Sequence, residues 1–344
     1  MDKQYLFDHV LGSLAAAFIG DAMGSATEAL TRQEIVERFG GKVTQFHAPG
    51  EGTWVAGQKA GQMTDDTTQM IEMIRAVVDS GGHLKIEQVV QHMLKWAATD
   101  DWLEKFAGPS TEKALKALRA GEDPHKTGLP DKYAGDTRVS NGAAMKVAPA
   151  GLAHPGDINA AVEDAVTMAT PTHHTDIAFA GAAATAAAVA KALMPGVTVL
   201  AVADAAVQGA EQGYALGAKD GCVVRGPSVT ERLKLAIEIG ASDPDFDRGC
   251  DRLAKVIGCG LPIAEAVPTS VGIFVAARGD PNRAIIGAVN LGDDADTVAA
   301  ITGSIAGAYA GINAVDQALY EQLQEANNVD LASIAQQLVD LVPE

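Results

Sequence analysis

Two short runs of acids and hydroxyls, far apart in the chain, carry the strongest chemical signal: Thr64-Asp65-Asp66-Thr67 and Gly292-Asp293-Asp294-Ala295-Asp296-Thr297. Each ends in Thr and leads directly into an apolar pattern of helical period. Carboxylates and hydroxyls at this density suit a hard cation such as Mg²⁺ or Mn²⁺, which takes oxygen ligands. Two such runs at two helix starts can close a two-metal site. Capping is the competing use of the same residues, because Asp and Thr oxygens accept the free N–H groups of a helix N-terminus. A cap needs one acceptor, however, and neighbouring carboxylates repel, so the repetition favours a metal. Asp65 and Asp66 point to different sides of a helical turn and are placed to bridge two ions.

Three more constellations belong with these. Gly20-Asp21-Ala22-Met23-Gly24 is followed by Glu28; Asp21 and Glu28 share one helix face if the helix continues that far. Gly24 between them permits close approach of another backbone. A Glu beside cations can act on water as acid or base, and the plain alternative is a solvent-facing acid on a glycine-relieved helix. The run Ser140-Asn141-Gly142-Ala143-Ala144-Met145-Lys146 is small enough to expose backbone N–H groups as a nest for phosphate or sugar oxygens, or it is an ordinary loop entering a helix. In Thr172-His173-His174-Thr175-Asp176 the two histidines diverge on a helix, with no HxxxH or Cys partner, which argues against zinc. A single hydrogen-bonding His at a helix start fits better. No P-loop, strand-linked GxGxxG or GxSxG is present, so NTP hydrolysis, dinucleotide redox chemistry and serine hydrolysis lack support.

The elements that must hold these residues read as helices. Apolar periodicity predicts helices over 11–28, 31–39, 65–80, 86–98, 111–118, 158–168, 171–193, 197–212, 228–239, 245–256, 263–277, 283–289 and 296–312, and two more near the C-terminus. Thr31 with Glu34 forms a capping box, and Gly40-Gly41 ends that helix. Segments 43–62 and 121–142 read as long loops. Gly303, Gly307 and Gly311 recur every four residues, a ridge against which a neighbouring helix can pack closely. No strand alternation and no biased linker appears, which predicts one all-α domain over 1–344.

Composition narrows the class. Of 344 residues 47% are hydrophobic and only 5% aromatic, which favours closely packed helices over a β sandwich. Lys plus Arg total 26 against 44 Asp plus Glu, a net charge of −18. Such a surface repels nucleic acid and anionic membranes, so neither is expected as a partner. The apolar stretch 298–312 is too short to span a bilayer. Three cysteines without CxxC spacing and an N-terminus without signal-peptide character predict a reduced, cytoplasmic protein.

In this order the constellations resemble the ADP-ribosylglycohydrolase family, whose pattern is GDAxGxxxE, TDDT, an NGAAMR-like loop, a TH-initiated helix and a late GDTDT or GDDADT. The resemblance covers about residues 8–316. It implies an all-α orthogonal bundle, a single ADP-ribosylglycohydrolase-like domain, and a centre of two Mg²⁺ or Mn²⁺ ions. The implied metal ligands are Thr64, Asp65, Asp66, Asp294, Asp296 and Thr297, with Asp293 at a position often occupied by Gly. The implied catalytic residues are Glu28 and Asp65, and the implied substrate contacts are Asp21, Gly24, Ser140, Asn141, Gly142 and His173. Such a site hydrolyses the glycosidic bond of an ADP-ribosylated protein or small molecule, through an oxocarbenium-like state. Related readings are an N-ribosidase for a smaller nucleoside-like substrate and a non-catalytic ADP-ribose binder. Two departures stand out. Lys146 replaces the usual Arg, and Phe106-Ala107-Gly108-Pro109-Ser110-Thr111 lacks the Asp that some members carry there. The role of base then falls to Glu28 or a bridging Asp.

Overall fold

The computed structural model describes residues 1–51, 53, 55–99, 102–131, 137–219 and 223–342. Cys222 lies outside them. The chain runs α1 (Lys3–Gly24), α2 (Arg32–Phe39), α3 (Asp65–Asp79), α4 (Ile86–Ala97), α5 (Trp102–Lys105), α6 (Pro109–Arg119) and α7 (Pro124–Thr127). A 3₁₀ turn at Asn141–Ala143 leads to α8 (Ala148–Leu152), α9 (Ile158–Ala169), α10 (Asp176–Ala192) and α11 (Val199–Lys219). Then follow α12 (Val229–Ser242), α13 (Phe246–Val256), α14 (Ile263–Ala276), α15 (Pro281–Val289), α16 (Ala295–Ala310), α17 (Gln317–Asn327) and α18 (Leu331–Leu341). The described residues form no strand, only an isolated bridge between Ser140 and Pro262. The expected all-α class is what the chain adopts.

The pair α1 and α16 forms the spine. Their backbones touch, because small residues face one another along the whole contact. A Cβ added at Gly20 would lie 2.4 Å from the Ala299 carbonyl oxygen, and one at Gly303 would lie 2.3 Å from that of Ala16. Beside this pair runs α10, whose residues from Asp176 to Ala190 are all buried. A shell of larger side chains closes the core, from Leu6 near the N-terminus to Val339 in α18. Low aromatic content and high Ala and Gly content thus express one packing mode, in which helix axes approach closely and dispersion contacts accumulate between backbones.

Several boundaries differ from the periodicity, each for a local reason. α1 ends at Gly24, not at Glu28. The Gly24 carbonyl accepts from the N–H groups of both Thr27 (2.8 Å) and Glu28 (3.0 Å), and Ala29 at φ 60° turns the chain away. Glu28 therefore stands on a tight turn after the helix. The helix expected from Pro171 starts at Asp176 instead, capped by the Thr175 side chain on the Ala178 N–H; His173 and His174 sit in the preceding turn. Gly311 terminates α16 at φ 78°, and its backbone still packs against α1, where a Cβ at Gly12 would lie 2.6 Å from the Gly311 carbonyl carbon. The loop over 121–142 contains the short α7 and the start of the 3₁₀ turn. The helix with membrane-spanning length and apolarity is α1, not the stretch around α16, and 83% of its most apolar window is buried inside the fold. The Thr31–Glu34 capping box forms as expected, and Gly40 ends α2 in the left-handed region.

Candidate metal centre and ribose site

Four chain segments deliver carboxylates to one buried point at the end of the α1–α16 spine. Asp21 comes from the last turn of α1, Glu28 from the turn that follows, Asp65 and Asp66 from the first turn of α3, and Asp294 and Asp296 from the start of α16. Two interlocking groups result. Ligand oxygens of Asp21, Asp66 and Asp296 lie within 4.8 Å of one another, and so do those of Glu28, Asp294 and Asp296. Asp296 belongs to both. Asp65 belongs to neither, and Asp296 is the carboxylate that the two groups share.

The geometry separates capping from ligation. Thr64 does cap α3: its Oγ1 accepts from the Asp66 N–H at 3.3 Å. Asp294 occupies the N-cap position of α16 but makes no capping bond with its side chain. Instead it accepts a hydrogen bond from Asn141 Nδ2. Its carboxylate is thus held towards the centre and not spent on the helix end.

Asp21 is fully buried and pinned to the N-terminus of α3. It accepts from the Thr64 N–H (3.1 Å), Thr64 Oγ1 (2.7 Å), the Thr67 N–H (3.3 Å) and Thr67 Oγ1. One carboxylate on α1 thereby fixes the helix that carries Asp65 and Asp66. The loops bearing Glu28 and Asp294 are locked to one another as well. The Ala29 N–H donates to the Asp293 carbonyl at 2.7 Å, and the Asp293 N–H donates to the Leu30 carbonyl at 3.0 Å. Gly292 and Asp293 take φ 78° and 56° to make this exchange, a conformation that suits Gly and that Asp tolerates.

The third wall is the segment Val139–Gly142, tied to the start of α14 by bonds from the Asn141 N–H to the Leu261 carbonyl (2.8 Å) and from the Ile263 N–H to the Val139 carbonyl (2.9 Å). Ser140 Oγ lies 2.7 Å from His173 Nε2, and His173 Nδ1 lies 2.8 Å from Thr172 Oγ1. Gly142 packs beside this ring: a Cβ there would meet His173 Cε1 at 3.3 Å. Burial, with Lys146 and Arg138 nearby, holds His173 well below the usual His range. It stays neutral, one ring nitrogen donating and the other accepting. His174 turns away, with Nδ1 2.8 Å from the His125 carbonyl oxygen.

Gly24 lies against the backbone of Ala295 and Asp296. It sits between α1 and α16, where a Cβ would come within 2.4 Å of Asp296 Cα. There it sets the depth at which Asp296 enters the site. Thr297 on α16 lies near Asp66, and its hydroxyl favours the charged form of that acid against burial.

Four participants carried weak sequence signals. Thr67 was visible only as the end of the acidic run, yet it anchors Asp21. Lys146, noted merely as a replacement for Arg, is completely buried; its Nζ donates to the Gly142 carbonyl at 2.6 Å. Burial pushes its pKa down to about 8 against the pull of Asp65 and Asp66. Leu261 and the Cys259 carbonyl, which accepts from the Asp294 N–H at 3.2 Å, position the site through backbone alone and leave no side-chain signature.

The electrostatics are those of a site built for positive charge. Burial raises Glu28 to about 8, helped by Asp294, Asp65 and Asp21. Asp65 rises to about 7 through burial and Asp21. Burial lifts Asp294 to about 6, and Asp66 and Asp296 are raised well above the carboxylate range, by burial first and by neighbouring acids second. Asp66 Oδ1 and Glu28 Oε2 are buried without any hydrogen-bond partner. Orphan carboxylate oxygens inside a ring of like charge are costly unless a cation joins them, so the donor set fits hard metal ions.

This shift has a direction that can be tested. Groups whose folded pKa exceeds the unfolded value of about 4 favour the fold at low pH, and that contribution is lost as pH rises through the folded values. For Asp294, Asp65 and Glu28 these are about 6, 7 and 8. Chelator-treated protein is expected to lose melting temperature steadily between pH 5 and pH 8 (roughly the span of those titrations), and Mn²⁺ is expected to restore more at pH 8 than at pH 5. A melting temperature of the chelated protein that rises over this interval would contradict the assignment.

Thr67→Val supplies a second test. It removes one hydroxyl donor from a buried carboxylate, which costs about 1–3 kcal/mol. Denaturant unfolding should show that loss in the presence and absence of metal alike, since Asp21 stays under-satisfied in both.

The family model of ADP-ribosylglycohydrolases matches residues 2–344. The chain belongs to the ADP-ribosylglycohydrolase family. Among family relatives it is similar to the uncharacterized protein YegU of Escherichia coli (strain K12), 30% identical over 94% of each chain. It is similar to the ADP-ribosylhydrolase ARH3 of Homo sapiens, 24% identical over 93% of this chain and 90% of that one. The ADP-ribosyl-[dinitrogen reductase] glycohydrolase of Rhodospirillum rubrum matches over a shorter stretch, 28% identical over 44% of this chain and 47% of its own. A solved ADP-ribosylglycohydrolase-related protein complex has the same fold, with a TM-score of 0.67 and 23% identity over 98% of this chain and 99% of that one. The chain thus joins membership of a glycohydrolase family to a buried cluster of acids able to hold metal ions.

Proposed function

We propose that this chain is a metal-dependent hydrolase that cleaves the glycosidic bond between ADP-ribose and a protein or small-molecule leaving group. Two Mg²⁺ or Mn²⁺ ions would be held by the group Asp21, Asp66 and Asp296 and the group Glu28, Asp294 and Asp296, with Thr64 and Thr297 among the flanking hydroxyls. The observation that carries this reading is the pair of orphan oxygens, Asp66 Oδ1 and Glu28 Oε2, buried within two carboxylate groups that share Asp296.

Ions bound there supply Lewis acidity, fixing the ribose diol and making water more acidic. The chain does the rest. Carboxylates crowded at one point stabilise the positive charge that develops on the sugar as the bond breaks. Asp65 is half-buried and outside both groups, which leaves its carboxylate available to take a proton from water. Glu28 would serve as an ionised ligand in the loaded enzyme, so the proton taken up by Asp65 is the one available to the leaving group. Asn141 orients Asp294. Ser140 and the neutral His173 form an uncharged donor–acceptor wall suited to sugar hydroxyls.

Calorimetric titration of ADP-ribose, first with Mn²⁺ and then with chelator, tests the assignment. Binding that disappears with the metal is the expected result, together with release of ADP-ribose from modified protein. A protein that demonstrably holds its ions but neither binds ADP-ribose nor releases it overturns the proposal.

A further inference from the structure

A second cavity lies beside the acidic centre and uses other residues. Along α3, Thr68, Ile71, Glu72 and Arg75 recur at helical spacing and form one wall of a cavity of about 580 Å³. Thr68 is one helical turn beyond Thr64, roughly 6 Å along the axis. The cavity is of a size common for small-molecule sites.

Its charge opposes that of the molecule as a whole. Arg75, Lys95 and Lys105 line it, with Glu72 as the one acid among the described lining residues, in a chain of net charge −18. Glu72 does not neutralise these cations so much as fix them. Its side chain is 7% exposed and is held from below by His92 Nδ1 at 2.7 Å. It pairs with Arg75 and lies 3.7 Å from Lys95 Nζ, while those two side chains remain 48% and 59% exposed. Two cationic heads are thus tethered at the mouth, and Lys105 adds a third.

The lining also offers aromatic side chains. Trp102 and Phe106 contribute aromatic surface, and the Trp102 ring is braced against Trp96 at 6.1 Å between centroids. Cations for phosphate and aromatic side chains for a ring describe one chemical class.

We propose that this cavity binds a nucleoside phosphate, at a site separate from the carboxylates of the metal centre. The nucleotide is either part of a bound substrate or an independent molecule; both present the same chemistry.

The test is calorimetric titration of AMP into chelator-treated protein, which needs no hydrolase activity and so stands or falls apart from the proposed reaction. Binding at or below about 1 mM is expected, weakened by roughly tenfold or more in Lys95→Glu/Lys105→Glu through loss of charge-assisted bonds. Trp102→Ala should weaken AMP but leave inorganic phosphate unaffected. Lys105→Gln, a milder change at an exposed position, serves if the double variant fails to fold. No heat with AMP, or unchanged affinity after charge reversal, overturns the proposal, and phosphate binding as tight as AMP overturns its nucleoside part. KM for an ADP-ribosylated substrate then identifies the source. A raised KM with kcat unchanged in the charge-reversed variant assigns the cavity to the substrate's own nucleotide; an unchanged KM assigns it to a separate one.

Discussion

Asp296→Ala is expected to lower kcat/KM by about three orders of magnitude, some 4 kcal/mol of transition-state stabilisation, and to abolish the rise in melting temperature on adding Mn²⁺. The size follows from position. Asp296 is the one carboxylate common to both acidic groups, so its loss removes a ligand from two ion sites at once. Asp21→Ala removes a ligand from only one group but also frees α3, since it loses four donors' worth of anchorage. The two variants are therefore distinguishable. In the metal-free state Asp296→Ala should be at least as stable as the parent, because it relieves like-charge repulsion among Glu28, Asp66 and Asp294. Asp21→Ala should be less stable in both states. Turnover of Asp296→Ala within tenfold of the parent would sink the two-ion reading.

Gly24→Ala is expected to destabilise the fold by about 2–4 kcal/mol and to weaken metal binding by roughly tenfold or more. Intrinsic propensity argues the other way, since Ala is favoured over Gly in a helix by about 1 kcal/mol. Sterics decide the sign. The added methyl would lie 2.4 Å from Asp296 Cα and 2.6 Å from its backbone N. Backbone atoms cannot rotate aside, so α16 must move as a body and carry Asp294 and Asp296 out of register with Asp66 and Glu28. Gly20→Ala, one turn away, meets the Ala299 carbonyl at 2.4 Å and should destabilise to a similar degree. Its displacement falls further from the carboxylates, so its effect on metal affinity should be smaller. Chemical denaturation and Mn²⁺ titration of the two variants side by side separate packing from ligand placement. Equal loss of metal affinity in both would show that spine separation alone matters.

Much of this arrangement is legible in the sequence for a simple reason. Helix periodicity, capping residues and metal-ligand types are local properties, and they are written locally. The Thr31–Glu34 box, the Gly40 stop and the start of α3 at Asp65 all depend on residues within one turn. The acidic runs likewise announce a hard-cation site because no packing need explains several adjacent carboxylates. Boundaries set by distant partners were not legible. α1 stops at Gly24 because Thr27 Oγ1 reaches the Val289 carbonyl at 2.7 Å and Ala29 pairs with Asp293. Those contacts span most of the chain.

The sequence by itself determined the fold class and most of the groups that meet at the site, because residue chemistry and spacing select helices and oxygen ligands before any tertiary contact forms. Only the tertiary structure decided which carboxylate is shared. Asp65 and Asp66 are neighbours in sequence, yet they diverge around the α3 axis, and it is Asp296 that the α1–α16 spine drives between the two groups. Tertiary packing likewise made Gly24 a spacer against Asp296 and buried Lys146 beneath the acids. Helix spacing, set by the absence of side chains at Gly20, Gly24 and Gly303, fixes the depth to which each carboxylate reaches. That depth is a property of two surfaces in contact and is carried by neither segment alone.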